Sequence, residues 1–308
     1  MPIDGTRILD LDGSFDAQWR LRAGNDTEVV DLREMGGHLR YMATHSRMRR
    51  FRRQLKPAMR HRLTFYGSGD YHHLSSAMVA QWRTPLSVVV FDNHPDWDVT
   101  TPWPCCGSWV NSILSMPHVA KVIVIGPGRP DLHGLHLLRG NAGALRSGKL
   151  EVYPATWDHS ATLSAGGLSI PGCRTSRRGA VTTLFWRTVA ELGWGNLMKR
   201  VVERLPTQQI YISVDKDCLI GEEAITNWEE GELRLADVAA AIELLGGEKE
   251  IVGADVTGEY SVGVIANPLF RLIGRFDHTV RAAPSQLDLE RNEQANLILL
   301  AAFRVARG

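Results

Sequence analysis

Four cysteines in 308 residues are too few and too unevenly placed to form a disulfide framework. Cys105 and Cys106 adjoin, Cys173 and Cys218 stand apart, and no CxxC spacing suggests a zinc knuckle. Reduced thiols in a reducing compartment are the expectation. Neither sign of charge dominates, with 35 Lys and Arg against 34 Asp and Glu, which argues against nucleic acid or a membrane surface as an obligatory partner and for a small-molecule substrate. No apolar run approaches the length of a membrane span, and the opening MPIDGTRILDLDGSF carries acids where a signal peptide needs a basic and then an apolar segment. A soluble cytoplasmic protein is expected. Internal repeats, low-complexity tracts and linkers are also missing, so 308 residues at 44% hydrophobic content read as one α/β domain, 1–308.

What is present is concentrated at a few strand ends. Val88 to Val99 reads VVVFDNHPDWDV: a short apolar run suited to a strand buried on both faces, ending abruptly in Asp92, His94, Asp96 and Asp98. Carboxylates crowded at the end of a buried strand repel one another and lose hydration, and a bound divalent cation is the simplest compensation. An acidic, solvated turn would show the same letters. A second strand, QIYISVDKD at Gln209 to Asp217, again finishes in acids. Alternation sends Asp215 and Asp217 to one side and Lys216 to the other. Side by side at the carboxyl edge of one sheet, the two turns would supply ligands for two metals.

A third turn adds imidazole. Leu63 to Tyr66 reads as a strand running into Gly67, Ser68, Gly69, Asp70, Tyr71, His72 and His73, followed by the helical LSSAMVAQW. Lys121 to Ile125, Leu150 to Tyr153, Val181 to Phe185 and Glu250 to Asp255 read as further strands. Asn196 to Arg204, Leu235 to Leu245 and Ser285 to Phe303 read as helices, and this alternation predicts a parallel sheet. Ser164 to Gly179 is small and polar enough for a hairpin or loop. Met35 to Arg62 reads as a densely basic helix, kinked or ended by Pro57, with Met48, Phe51 and Leu55 on its packing face. Its arginines suit a solvated or oligomer-facing surface better than a nucleic-acid site, and a homo-oligomer is expected.

The ordered set GSGDYHH, DNHPD and SVDKD, with a weaker GADVTGEYS at Gly253 to Ser261, resembles the motifs of the ureohydrolase (arginase and agmatinase) family within the arginase/deacetylase superfamily. The resemblance implies a three-layer α/β/α fold with a mainly parallel sheet and a binuclear manganese centre, Zn2+ being the alternative ion. Asp92 and Asp215 would bridge the two ions. A histidine of the first turn and Asp96 would complete one site, and His94 and Asp217 the other. Tyr71 separates Asp70 from His72 and His73, where the family histidine follows its Asp directly. His72 is preferred, because it puts Leu74 at the family's first buried helical position. The stretch TPWPCCGSWVNSIL holds no counterpart of the family's proton-shuttling histidine, and CLIGEEAITNWEEGEL replaces its Gly-rich stretch. The glutamate that grips guanidinium in the family is displaced by one residue, to Gly258 or Glu259.

The function expected from this resemblance is hydrolysis of a linear C–N bond in a guanidino or amide group by a metal-bridging hydroxide, with Asp217 or Glu259 relaying a proton. Glu259 and Trp228 are the expected substrate contacts. The alternatives are a single-metal deacetylase-like amidohydrolase and a catalytically silent metal-containing binding protein.

Overall fold

Runs of β-branched residues set the centre of the molecule. In the computed structural model, which describes residues 5–55, 63–128, 130–163, 170–171, 173–275 and 284–306, eight strands form one parallel sheet. They are β1 (Thr6–Asp10), β2 (Thr27–Asp31), β3 (Leu63–Tyr66), β4 (Leu86–Phe91), β5 (Val119–Ile125), β6 (Leu150–Tyr153), β10 (Gln209–Asp215) and β11 (Glu250–Thr257). Their order across the sheet is β2-β1-β3-β11-β10-β4-β5-β6, every neighbouring pair parallel. Both faces are covered, as continuous apolar strands require. Val88, Val90, Val122 and Val124 pack under the helices at 33–39, 45–54, 75–79 and 109–114. Val89, Phe91, Ile123 and Ile125 join the opposite core with the helices at 194–204, 235–248 and 286–305. The fold is the expected three-layer α/β/α arrangement. Among the described residues, no helix is long and apolar enough to cross a membrane.

Two local expectations are corrected. Val181–Phe185 (β9) is a strand but lies outside the parallel sheet, pairing antiparallel with β7 (His159–Leu163) and β8 (Arg174–Arg178) in a separate three-stranded sheet. The two-residue turn at Gly179 (φ 62°) and Ala180 joins β8 to β9 directly, and so short a connection permits only antiparallel pairing. The basic stretch is likewise two helices, Arg33–Leu39 and His45–Gln54. Arg40 to Thr44 separates them, with Tyr41 at φ 66° breaking the first and the Thr44 side chain capping the second. Pro57 and positions 164–169 of the expected loop lie outside the described residues.

One buried charge cluster ties the sheet edge to its covering helix. Lys121 Nζ donates to Glu151 Oε1 at 2.5 Å, and Arg204 from the 194–204 helix donates to the same oxygen at 2.6 Å through Nε. Burial pushes the Glu151 carboxyl up, but Arg204 and Lys121 outweigh it and hold the group below the usual range. This stabilisation is therefore full above the ordinary carboxylate pKa and is lost as pH falls through the depressed one. Glu151→Gln is expected to cost about 3 kcal/mol at neutral pH, because it strands the buried Lys121 ammonium. It should also flatten the acid limb of stability. Urea denaturation of both proteins at neutral and acidic pH measures this, and equal midpoints at neutral pH would refute it.

Candidate metal centre

The four central strands, β3, β11, β10 and β4, deliver the acidic and imidazole turns to one carboxyl edge. Beyond β3 the Ser68 hydroxyl accepts from Asp70 N–H, opening a 3-10 turn over Gly69–Leu74 that carries His72 and His73. Arg40 Nε fixes this turn by forming an ion pair with Asp70 Oδ2 at 2.7 Å, while its other nitrogens hold Ser261 and Asn227. The crossing is close. A Cβ at Gly69 would meet Asp215 Oδ2 at 2.8 Å, and one at Gly258, itself at φ 89°, would meet Asp215 Oδ1 closer still. Glycine is required at both positions if neighbouring turns are to pack against that carboxylate.

His72, and not His73, is brought to the carboxylates. His72 Nδ1 lies 3.1 Å from Asp92 Oδ2, 3.2 Å from Asp96 Oδ2 and 3.4 Å from Asp215 Oδ2. Its Nε2 is 2.9 Å from Ser213 Oγ, which in turn donates to Asp255 Oδ1 at 2.6 Å. Because the serine proton is committed to Asp255, the Nε2 proton is fixed toward the serine oxygen, and displacing the proton that the acids favour on Nδ1 leaves that nitrogen's lone pair facing them. This is the tautomer a metal ligand needs. His73 is fully buried and neither ring nitrogen has a hydrogen-bond partner. Burial, reinforced by His72, pushes its pKa down to about 3 and keeps it neutral.

The second group shares Asp92. His94 Nδ1 is 2.9 Å from Asp217 Oδ2 and 3.6 Å from Asp92 Oδ1, while His94 Nε2 points to Glu229 Oε2 at 3.7 Å and Asp131 Oδ2 at 3.9 Å. Backbone N–H groups aim the carboxylates: His94 N donates to Asp92 Oδ1, Asn93 N to Asp217 Oδ1 and Asp217 N to Asp215 Oδ1. Asp96 reaches inward from a left-handed backbone, φ 47°, a strained geometry for a residue other than glycine. His72, Asp92 and Asp96 form one compact donor set, and Asp92, His94 and Asp217 the other.

The electrostatics favour a cation. Burial and neighbouring acids push Asp96, Asp215 and Asp217 above the usual carboxylate range. Burial also pushes Asp92 up, but His72 and His94 outweigh it and hold it down. Asp92 Oδ2 is buried without a hydrogen bond. Carboxylates that cannot all ionise together, an orphaned oxygen and two correctly turned imidazoles fit hard divalent ions of the manganese or zinc kind.

The remaining predicted residues separate. Trp228 lines the same cavity as the acids, its ring 5.4 Å from that of His94 and nearly perpendicular to it. Glu259 does not reach the cavity, which corrects its expected role there. Its carboxylate is buried, paired with Lys216 Nζ, and accepts from Gln18 Nε2 at 2.9 Å, Asn292 Nδ2 at 3.0 Å and Asn296 Nδ2 at 2.6 Å. Lys216 points away from the carboxylate cluster toward this network. Asp131 and Glu229 are the cavity acids not anticipated from sequence. Neither belongs to a strand-end motif, and only the folded loops carry them to His94.

No protein-family model matches the chain. A Thermotoga maritima protein described as uncharacterized is 24% identical over 252 residues, 82% of this chain and 78% of that one. Arginase from Bacillus caldovelox superposes with a TM-score of 0.60 at 15% identity, covering 97% of this chain and 98% of that one. Formimidoylglutamase from Bacillus subtilis gives 0.60 at 13% identity, with 100% and 88% covered. Proclavaminate amidinohydrolase from Streptomyces clavuligerus gives 0.56 at 16%, with 99% and 93% covered. The fold is that of the arginases.

Proposed function

We propose that this chain is a metal-dependent hydrolase of a linear C–N bond in the guanidino, amidine or amide group of a small molecule, working with two divalent ions. The observation that carries the reading is the pair of donor sets sharing Asp92 on the floor of a cavity of about 820 Å³. A second set, completed by His94 and Asp217, speaks against a single-ion deacetylase arrangement. His72, Asp92, Asp96 and Asp215 would hold one ion, and Asp92, His94, Asp215 and Asp217 the other. Manganese is the preferred ion, given four carboxylates to two imidazoles. Bound there, the ions would supply Lewis-acid activation of water and of the substrate's carbon centre.

The chain's own residues orient this chemistry. Ser213 and Asp255 fix the His72 tautomer, and Asp131 with Glu229 flanks the outer nitrogen of His94 in the cavity. Those two carboxylates are the groups placed to pass a proton to a departing amine, since the 101–114 segment has no histidine and Glu259 is locked elsewhere.

Reconstitution with Mn2+ followed by elemental analysis is expected to give two ions per chain. A panel of guanidino, formimidoyl and acylamino compounds should show turnover that a chelator abolishes. Asp92 and Asp96 raise the basicity of the buried His72 against its desolvation, so an ion must displace a proton and affinity should weaken as pH falls. One ion per chain would point to the deacetylase-like arrangement. Two ions with no turnover anywhere in the panel would sink the enzymatic reading.

A further inference from the structure

The walls above the metal floor are more informative than the floor itself. Apart from the two cores that sandwich the sheet, a third apolar cluster stands alone, with Tyr41, Met42, Ile265 and Phe270 buried and Trp103, Trp228 and Ile273 packed against it. Tyr41, Met42, Trp103, Trp228, Leu272 and Ile273 all face the cavity. Trp228 touches the floor beside His94, and Trp103, its ring 5.2 Å from Phe270, carries the wall outward. Leu272 continues it to the mouth with 54% of its surface exposed, and Leu269, one turn earlier on the helix at 268–274, is 51% exposed. Apolar surface held open to water from floor to mouth is unfavourable unless a ligand covers it, and a cavity of this size suits an extended small molecule.

Charge narrows the choice further. Beyond the candidate ligands, the described residues of the lining include three carboxylates, Asp98, Asp131 and Glu229, against one guanidinium, Arg139, which lies 4.0 Å from Asp98. A carboxylate on the substrate's body would meet repulsion from these three acids.

We propose that the site selects substrates whose hydrolysable group carries an apolar body of aromatic size, seated on the Trp103–Trp228 wall, and rejects those bearing a carboxylate. This rests on the hydrolase reading for the identity of the reacting group, though not for the preference of the wall. The test uses Mn2+-loaded protein and three butylguanidines ending in a phenyl, an ammonium or a carboxylate group. Affinity is read as Kd, or as KM where a probe turns over. The phenyl probe should bind about tenfold or more tightly than the carboxylate probe and no more weakly than the ammonium probe. Trp103→Ala and Trp228→Ala should each weaken the phenyl probe about tenfold with metal content unchanged. Any other order of affinity in the unsubstituted protein, or no measurable phenyl binding, overturns the proposal even if both alanine variants misfold. Metal content, measured separately, decides the hydrolase reading, so the two can fail independently.

Discussion

Asp92→Ala is expected to remove tight binding of both ions while leaving the chain folded, and Asp215→Ala to do nearly the same. Asp92 is shared by the two compact donor sets, and Asp215, the other residue placed to reach both ions, has Oδ2 3.4 Å from His72 Nδ1 while its other oxygen holds the Asp217 turn. Removing a group that merely orients a ligand weakens metal affinity about 10- to 100-fold, so losing a shared ligand should exceed the upper figure. Ser213→Ala supplies the graded comparison. It frees His72 Nε2 and one oxygen of Asp255 without touching a candidate ligand carboxylate, and should fall inside that 10- to 100-fold range. Elemental analysis gives the ion count, and thermal unfolding at rising Mn2+ gives the linkage. Stabilisation by about 2.7 kcal/mol for each ion bound at 100 times its Kd is expected for the unsubstituted protein and almost none for Asp92→Ala. An Asp92→Ala protein that keeps two ions per chain would remove the basis of the metal-centre assignment.

Breaking the Lys216–Glu259 pair is expected to have the largest effect on stability in the molecule. Both groups are buried, and the pair joins the end of β10 to the 286–305 helix through Asn292 and Asn296 and to the amino-terminal segment through Gln18. Burial pushes the Lys216 ammonium below its usual pKa and Glu259 acts against it, so the lysine depends on this partner. Glu259→Gln and Lys216→Met should each cost about 3–5 kcal/mol, since each leaves one charge buried and unpaired. The double substitution should cost less than the sum of the two. Urea unfolding measures all three. If Glu259 instead gripped substrate, Glu259→Gln would raise KM with little loss of stability, and that result would reverse the placement. Retained metal in Lys216→Met at low temperature would show that the pair supports the strand end from behind without joining the donor sets.

The amino-acid sequence by itself determined the central strands β3, β4, β5, β6, β10 and β11 and the acids gathered beyond their ends, because both are local in origin. Uninterrupted runs such as VVVF and KVIVI can satisfy their burial only inside a two-faced parallel sheet. Period-two alternation predicts that Asp215 and Asp217 share a side against Lys216, and they do, although β10 ends at Asp215 and a 3-10 turn over Lys216–Cys218, capped by the Asp215 side chain, makes the placement. The choice between His72 and His73 was open to local reasoning, and it turned on Asp255 and Ser213, on the strands one and two places from β3 in the folded sheet. Tertiary structure alone decided that Glu259 faces the 286–305 helix, since its partners lie 33 to 241 residues away in sequence. It also decided that Val181–Phe185 turns back on its own hairpin, and that Asp131 and Glu229 reach His94. Long-range pairing of polar groups depends on which loops meet after the layers have packed, and no periodicity within a single segment encodes that meeting.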